Sequence, residues 1–408
     1  MLSPRIKCLM QEASPIMQGH LTCATDPFTK ENPNGYLNFG IAENHLMSDW
    51  TVEFVNKGDI VQAEDLQYFE LSGLKDLREV IVNFFESYLH TPRLNPNNVV
   101  VMNGLSSVCE AISYTMFSKG DFVMMPSPYY SGFDFDFKKR FGVEFLNVPL
   151  KPENHFKHSI EDFICSYEKF EFKSKVKAIL ITHPHNPTGE VINKVFLRQI
   201  IEFAKEKKLE IITDEIYALT NFTKMPHNSL LAMAGDYKEH VHLLYGLAKD
   251  FTLAGMKVGI FYSENKDLVQ AMKLLSYFHC TSSLTQRFTQ RLLADHNYIT
   301  KFMNENNQRL LAIKNKIKTE LPSLKIIDGD SGLFFLVDLS SFLTEPTFDA
   351  EKKLYRELLD KYKIFLTSGG DMSMSIPGYF RLCFSKKIDE VNELIIRLKK
   401  FFKDQANK

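Results

Sequence analysis

The chain has 408 residues, enough for two to three domains at ~150 residues each. Hydrophobic residues make up 44% and charged residues 24%, a globular balance that excludes wholesale disorder. Lys and Arg total 49 against 50 Asp and Glu, and the formal net charge of -1 gives no electrostatic footing for nucleic acid or an anionic membrane, so neither is expected as a partner.

Six cysteines (Cys8, Cys23, Cys109, Cys165, Cys280, Cys383) lie far apart without zinc or redox spacing. They read as buried thiols of a reducing compartment, and no metal site is expected. Met1-Leu2-Ser3-Pro4-Arg5 lacks the apolar segment of a signal peptide, and no run reaches the ~18 apolar residues of a membrane span. A soluble, cytoplasmic protein is the expectation. The 34 Phe beside a single Trp, Trp50, point to a bulky core and a large interface.

Up to about Trp50 the chain is rich in turn residues, as in Asp26-Pro27 and Asn32-Pro33-Asn34-Gly35, and reads as an extended arm. From about Asn98, short apolar runs recur: Val99 to Met102, Phe122 to Met125, Val176 to Ile181, Leu209 to Ile212 and Val241 to Tyr245. Stretches of helical spacing separate several of them, as in Phe196-Leu197, Ile200-Ile201 and Phe203-Ala204. Strands alternating with helices predict an α/β fold, a mostly parallel sheet flanked by helices. After about Asp295 a helical region leads to two further apolar segments, Gly332 to Asp338 and Tyr379 to Phe384, a smaller α+β unit. Val391, Leu394, Ile395, Leu398 and Phe401 then share one helical face, to dock on their own domain or on a partner. The expected division is an arm over 1–50 that joins the small domain, a large domain over 51–295 and a small domain over 296–408.

Four segments carry chemistry. Asn103-Gly104-Leu105-Ser106-Ser107 joins a strand to a helix, offering N–H groups and hydroxyls to a phosphate or a serine as a simple cap. His185-Asn186-Pro187-Thr188-Gly189 is a turn that projects an asparagine. Thr213-Asp214-Glu215-Ile216-Tyr217 ends a strand with an acid and a phenol, facing a ligand or capping a helix. Tyr245-Gly246-Leu247-Ala248-Lys249-Asp250 follows a strand where a parallel sheet exposes its loops; alone, Lys249 would read as a surface ammonium.

Taken together, Asn186, Asp214, Tyr217 and Lys249 in this order resemble the fold-type I pyridoxal-phosphate enzymes, the aspartate-aminotransferase superfamily. Gly40-Ile41-Ala42-Glu43-Asn44 and Pro126-Ser127-Pro128-Tyr129-Tyr130 are similar to the branch of 1-aminocyclopropane-1-carboxylate synthases. The resemblance runs from about Asp26 to Phe384 and implies pyridoxal 5'-phosphate as cofactor and a homodimer with active sites at the interface. It also implies roles for residues. Lys249 would form the imine with the cofactor aldehyde and serve as general base. Asp214 would pair with the ring nitrogen, a contact of about 4 kcal/mol at ~4 Å and an effective dielectric near 20 before desolvation. Asn186 and Tyr217 would bond the phenolic oxygen, Tyr130 would stack on the ring, and Leu105, Ser106 and Lys257 would hold the phosphate. Arg381 would grip the substrate carboxylate together with Asn186, and Glu43 matches an acidic position near the substrate.

The sequence departs from the family at four places. Gly246 and Ala248 stand where serines are usual, Lys257 where the phosphate-binding arginine is usual, and Leu71 where the neighbouring subunit usually supplies a tyrosine, with Tyr68 three residues away. Looser phosphate binding is expected, since lysine lacks the forked grip of arginine. The expected function is a pyridoxal-phosphate-dependent enzyme acting on an α-amino acid, aminotransferase-like. A 1-aminocyclopropane-1-carboxylate synthase-like or carbon–sulfur lyase elimination, and a non-catalytic scaffold that keeps the fold, are the alternatives.

Overall fold

Each apolar run of the middle of the chain becomes a strand. The computed structural model describes residues 2, 6–7, 10, 15–58, 61–223 and 226–407. In chain order the strands are β1 (Leu37–Asn38), β2 (Val99–Asn103), β3 (Phe122–Ser127), β4 (Glu144–Pro149), β5 (Val176–Thr182), β6 (Glu210–Asp214), β7 (Val241–Gly246), β8 (Val258–Tyr262), β9 (Lys325–Ile327), β10 (Phe334–Asp338), β11 (Ile364–Phe365), β12 (Thr367–Ser368) and β13 (Tyr379–Cys383). Around them lie helices α1 (Pro15–Thr25), α2 (Leu105–Met116), α3 (Lys194–Lys207), α4 (Lys266–His279), α5 (His296–Glu320) and α6 (Ile388–Ala406).

Seven strands form one sheet in the order β2-β8-β7-β6-β5-β3-β4. Neighbours from β4 to β7 are parallel, while β8 runs against both β2 and β7. Alternation along the strands splits the core into two layers. Val99 and Val101 of β2 and Ile179 and Ile181 of β5 face one side with Phe196, Leu197 and Ile200 of α3. Val100, Met102, Ala178 and Leu180 face the other with Val108 and Ile112 of α2 and Met272 of α4. Burial on both faces is why these runs are continuously apolar instead of alternating.

The direction of β8 matters for function. Thr182 of β5 lies beside Asp214 of β6, and Asp214 lies beside Leu244 of β7, so β5, β6 and β7 end together. β2, antiparallel to β8, ends at the same edge, and β8 begins there. One edge of the sheet therefore gathers the start of α2, the turn at Asn186, Asp214, Lys249 and, from the reversed strand, Lys257.

A second, antiparallel sheet has the order β12-β13-β10-β9. It shares a separate core with Leu310 and Ile317 of α5 and with all five residues of the α6 stripe, so that stripe docks within its own chain. β1 pairs in parallel with β11, which ties the N-terminal segment to the C-terminal third. The opening segment departs from an extended arm, because α1 spans Pro15–Thr25. The turn residues that dominated the sequence pattern begin only at Asp26.

The five described cysteines are free; Cys8 lies outside the described residues. Cys23, Cys109 and Cys383 are buried as expected, whereas Cys165 is exposed and Cys280 is half-buried, because Cys165 falls on the solvent side of its helix. Among the described residues no helix is long and apolar enough to cross a membrane.

The α6 packing yields a paired test. Leu394→Ala removes a fully buried side chain and is expected to cost about 2–5 kcal/mol of unfolding free energy. Ile396→Ala, at a position 60% exposed, should stay within about 0.5 kcal/mol. Urea unfolding of both variants reads the difference, and equal costs would contradict the docking described.

Candidate active site

Lys249 lies in the short helical turn Leu247–Asp250 that follows β7. Its Nζ donates to the carbonyl of Ala42 at 2.6 Å. Burial, and then the nearby Arg381 guanidinium, push this amine down to about 8, partly offset by Cys383, Glu43 and Asp214. The next residue, Asp250, is fully buried and accepts from the N–H groups of Leu219 and Thr220 at 3.0 Å, Thr220 Oγ1 at 2.7 Å and Tyr245 Oη at 2.9 Å. It clamps the loop after Tyr217 to the lysine turn.

Two adjacent acids at the end of β6 part company. Glu215 accepts from Thr213 Oγ1 (3.0 Å), Ser229 Oγ (3.0 Å), the Leu230 N–H (2.9 Å) and His227 Nε2 (2.8 Å), a satisfied structural network. Asp214 faces the cavity instead. Among the described residues its carboxyl receives one hydrogen bond, from the Ile216 N–H at 3.2 Å. Burial first, with help from the Glu215 charge, pushes it up to about 7. A buried carboxyl so sparsely paired is a site waiting for a donor.

Asn186 and Arg381, 195 positions apart in sequence, meet directly, with Arg381 Nη1 donating to Asn186 Oδ1 at 2.9 Å. Arg381 Nη2 donates to the Gly40 carbonyl at 2.7 Å and to Thr367 Oγ1 at 3.3 Å. The guanidinium is 3% exposed and lies over the Phe334 ring, 5.4 Å from its centroid. Its Nε–H has no acceptor, and among the described residues no carboxylate pairs with it. With Oδ1 taken, Asn186 has only its NH2 donor to offer a ligand.

At the other end of the cavity, Leu105 and Ser106 open α2 with no side-chain cap, and the Lys257 ammonium lies close by Gly104. Ser107 does not join them, because its hydroxyl turns back to the Asn103 carbonyl at 2.9 Å. Leu105, Ser106, Tyr130, Asn186, Asp214, Tyr217, Lys249 and Lys257 all line one cavity of about 190 Å³. Tyr217 is buried with its ring edge-on to Phe334. Arg381 enters from an adjoining cavity that shares Lys249, Tyr130 and Tyr217.

Glu43 is not among the residues lining either cavity. Its carboxylate meets His45 Nε2 at 3.2 Å, and that hydrogen bond above all holds it down at about 2. Its charge still reaches Lys249. Leu71 is half-buried and Tyr68 is fully exposed, both away from the cavity of their own chain. Gly246 has a physical cause: a Cβ there would sit 2.9 Å from the Val258 carbonyl, so the tight β7–β8 pairing leaves no room for serine.

Sequence reasoning missed two contributors. The Ala42 carbonyl that holds Lys249 comes from 207 residues away and has no side-chain signature. Asp136 lines both cavities, and burial, then the charges of Asp214 and Glu110, push it up to about 8. Its neighbour Asp134 pairs with Lys138 at 2.9 Å. The alternating run Phe133 to Phe137 gives no hint which of the two acids turns inward.

The expected cofactor suits this donor set. A cation, a hydroxyl and helix-start N–H groups at one end match a phosphate, an under-paired acid matches a ring N–H, and a buried amine of lowered pKa matches an aldehyde. Residues 36–398 match the family described as aminotransferase class I and II. Similar sequences include 1-aminocyclopropane-1-carboxylate synthase 6 of Arabidopsis thaliana, 30% identical over 97% of this chain and 83% of that protein. Another is 1-aminocyclopropane-1-carboxylate synthase 2 of Solanum lycopersicum, 31% identical over 96% of this chain and 85% of that protein. The fold is shared with the aspartate aminotransferase of Thermus thermophilus with maleate, at a TM-score of 0.84 and 19% identity, covering 98% of this chain and 99% of that one. With nearly its whole length matched and the cofactor's donor set gathered at one sheet edge, this chain belongs to the class I and II aminotransferase family of pyridoxal 5'-phosphate-dependent enzymes.

Proposed function

We propose that the chain transfers the amino group of an α-amino acid, with pyridoxal 5'-phosphate carried on Lys249. The observation that carries this reading is Arg381, a buried guanidinium with a free Nε–H and no counter-ion among the described residues, set in the same cleft as Lys249. Burying an unpaired cation is costly, and an α-carboxylate held by two or more N–H groups offsets that cost.

When bound, the cofactor supplies an aldehyde that takes up the substrate amine and a ring that accepts the electron pair of a breaking Cα bond. Asp214 holds the proton on the ring nitrogen. Ser106, Lys257 and the N–H groups at the start of α2 would hold the phosphate, Tyr130 would pack against the ring, and Asn186 and Tyr217 would donate to its oxygen. Arg381 orients the substrate so that one Cα bond stands ready to break. Lys249 Nζ then takes the Cα proton, a task suited to an amine poised near 8.

A second reading, elimination as in a 1-aminocyclopropane-1-carboxylate synthase, is supported by 30–31% identity to such synthases over most of the chain. It uses the same Lys249 and Arg381. We also place the division of the chain at 1–50, 51–295 and 296–408, and infer a homodimer with the active site at the interface. Leu274, Tyr277 and Phe278, close together along α4, are each exposed and would be covered by a second copy.

Four outcomes are expected. Purified protein carries visible absorbance that Lys249→Ala removes, together with a loss of turnover of about 10²- to 10⁴-fold or more. With a panel of amino acids and a keto-acid acceptor, wild type forms keto acid; methylthioadenosine release from S-adenosylmethionine without keto acid would favour elimination instead. Only the unprotonated amine attacks an aldehyde, so cofactor uptake by apoprotein should rise with pH and reach half its maximum near about 8, far below an ordinary lysine. A flat pH profile of uptake rate would contradict that. By light scattering the wild type should be a dimer and Tyr277→Arg/Phe278→Arg a monomer; a monomeric wild type refutes the dimer.

A further inference from the structure

The cleft continues outward from Lys249 and Arg381 into a second cavity of about 460 Å³. Its outer wall is apolar: Ile16, Met17 and Leu21 of α1, with Ile41 and Phe135. Met17 and Leu21, four positions apart on one helical face, are each 57% exposed, an apolar surface that a ligand in the cavity would cover. Helix α1 is no loose flap. A Cβ at Gly19 would lie 2.4 Å from the Phe365 ring, so the helix rests directly on that ring, and Cys23 packs into the same small core.

The charge census of this cavity is as informative as its shape. Among its lining residues the cations are Lys249 and Arg381, both engaged by the reacting end of an amino acid. His20 also lines it, but its Nδ1 is taken up by the Asn38 amide at 3.1 Å. Asp136 supplies the one carboxyl among these lining residues, beside the phenols of Tyr130 and Tyr217. Within this chain a side-chain carboxylate placed here would find no lysine or arginine beyond Lys249 and Arg381. An apolar side chain would cover Met17 and Leu21 and displace water from their surface.

We infer that this outer cavity is the side-chain pocket of the substrate, that it takes amino acids with a bulky apolar side chain, aromatic or long aliphatic, and that α1 sets this preference. The inference rests on the amino-acid reading of the site proposed above.

The test uses holoenzyme and two carboxylic acids without an amine, so neither reacts: 3-phenylpropionate and maleate. Calorimetric titration should give a dissociation constant at least about tenfold lower for 3-phenylpropionate, a difference of about 1.4 kcal/mol. Leu21→Arg adds a cation to the wall and should shrink or reverse that ratio while visible absorbance reports the same cofactor content; Met17→Arg serves if Leu21→Arg fails to fold. Maleate binding as tightly as 3-phenylpropionate, or neither acid binding to cofactor-loaded protein, overturns the pocket and leaves the cofactor reading standing. An unchanged ratio in a folded arginine variant overturns the role of α1. Failure to take up pyridoxal phosphate at all refutes the proposed function, and the pocket with it.

Discussion

Lys249, half-buried, lies close enough to the buried Arg381 for the guanidinium to raise the cost of charging the amine, and neither has a carboxylate at ion-pair distance among the described residues. Folding tolerates this only because neutral oxygens share the load: the Ala42 carbonyl for the amine, and the Gly40 carbonyl, Thr367 Oγ1 and Asn186 Oδ1 for the guanidinium. Such partial solvation keeps the pair in place without quenching it. The amine gives up its proton more readily as a result, and the guanidinium keeps an N–H in reserve. The reactivity of the lysine is thus tied to the presence of the arginine.

The scaffold answers that demand by immobilising everything around the pair. Asp250 and Glu215, each buried and each satisfied by four donors, flank Lys249 and Asp214 in sequence and pin the loops that carry them. In both cases one of two neighbouring residues is spent on structure so that the other can be held in an unfavourable environment. Arg381 rides on the antiparallel sheet whereas Asn186 sits in the turn beyond β5 of the seven-stranded one, so their hydrogen bond ties that turn to the second sheet.

The thin phosphate cup follows from the same geometry. Gly246 is excluded from being serine by the Val258 carbonyl, and Ala248 packs toward the core of the antiparallel sheet. What remains is Lys257, delivered by a strand that runs backwards, with Ser106 and the start of α2. Asp136 adds an acid to this region, which Lys257 partly compensates. A phosphate bound there would be held by position more than by number of contacts.

The sequence by itself determined the strands of the seven-stranded sheet from β2 to β7 except β4, the α3 spacing and the buried stripe of α6, while the family resemblance added Lys249, Asp214, Asn186, Tyr217 and Arg381 as candidate site residues. These are readable because burial on two faces writes continuous apolar runs and because loops at strand ends carry their chemistry in a few residues. α1 was hidden behind the turn residues that follow it. Only the tertiary structure decided that Ala42 holds Lys249, that Asp136 turns inward, that Ser107 turns away, and that Glu43 is occupied by His45. Those facts depend on backbone atoms and on side-chain direction, whether the partner is two, four or 207 residues away. Residue type and spacing along a chain do not encode which of two neighbouring polar groups meets a distant partner, because that is settled by how the sheets pack.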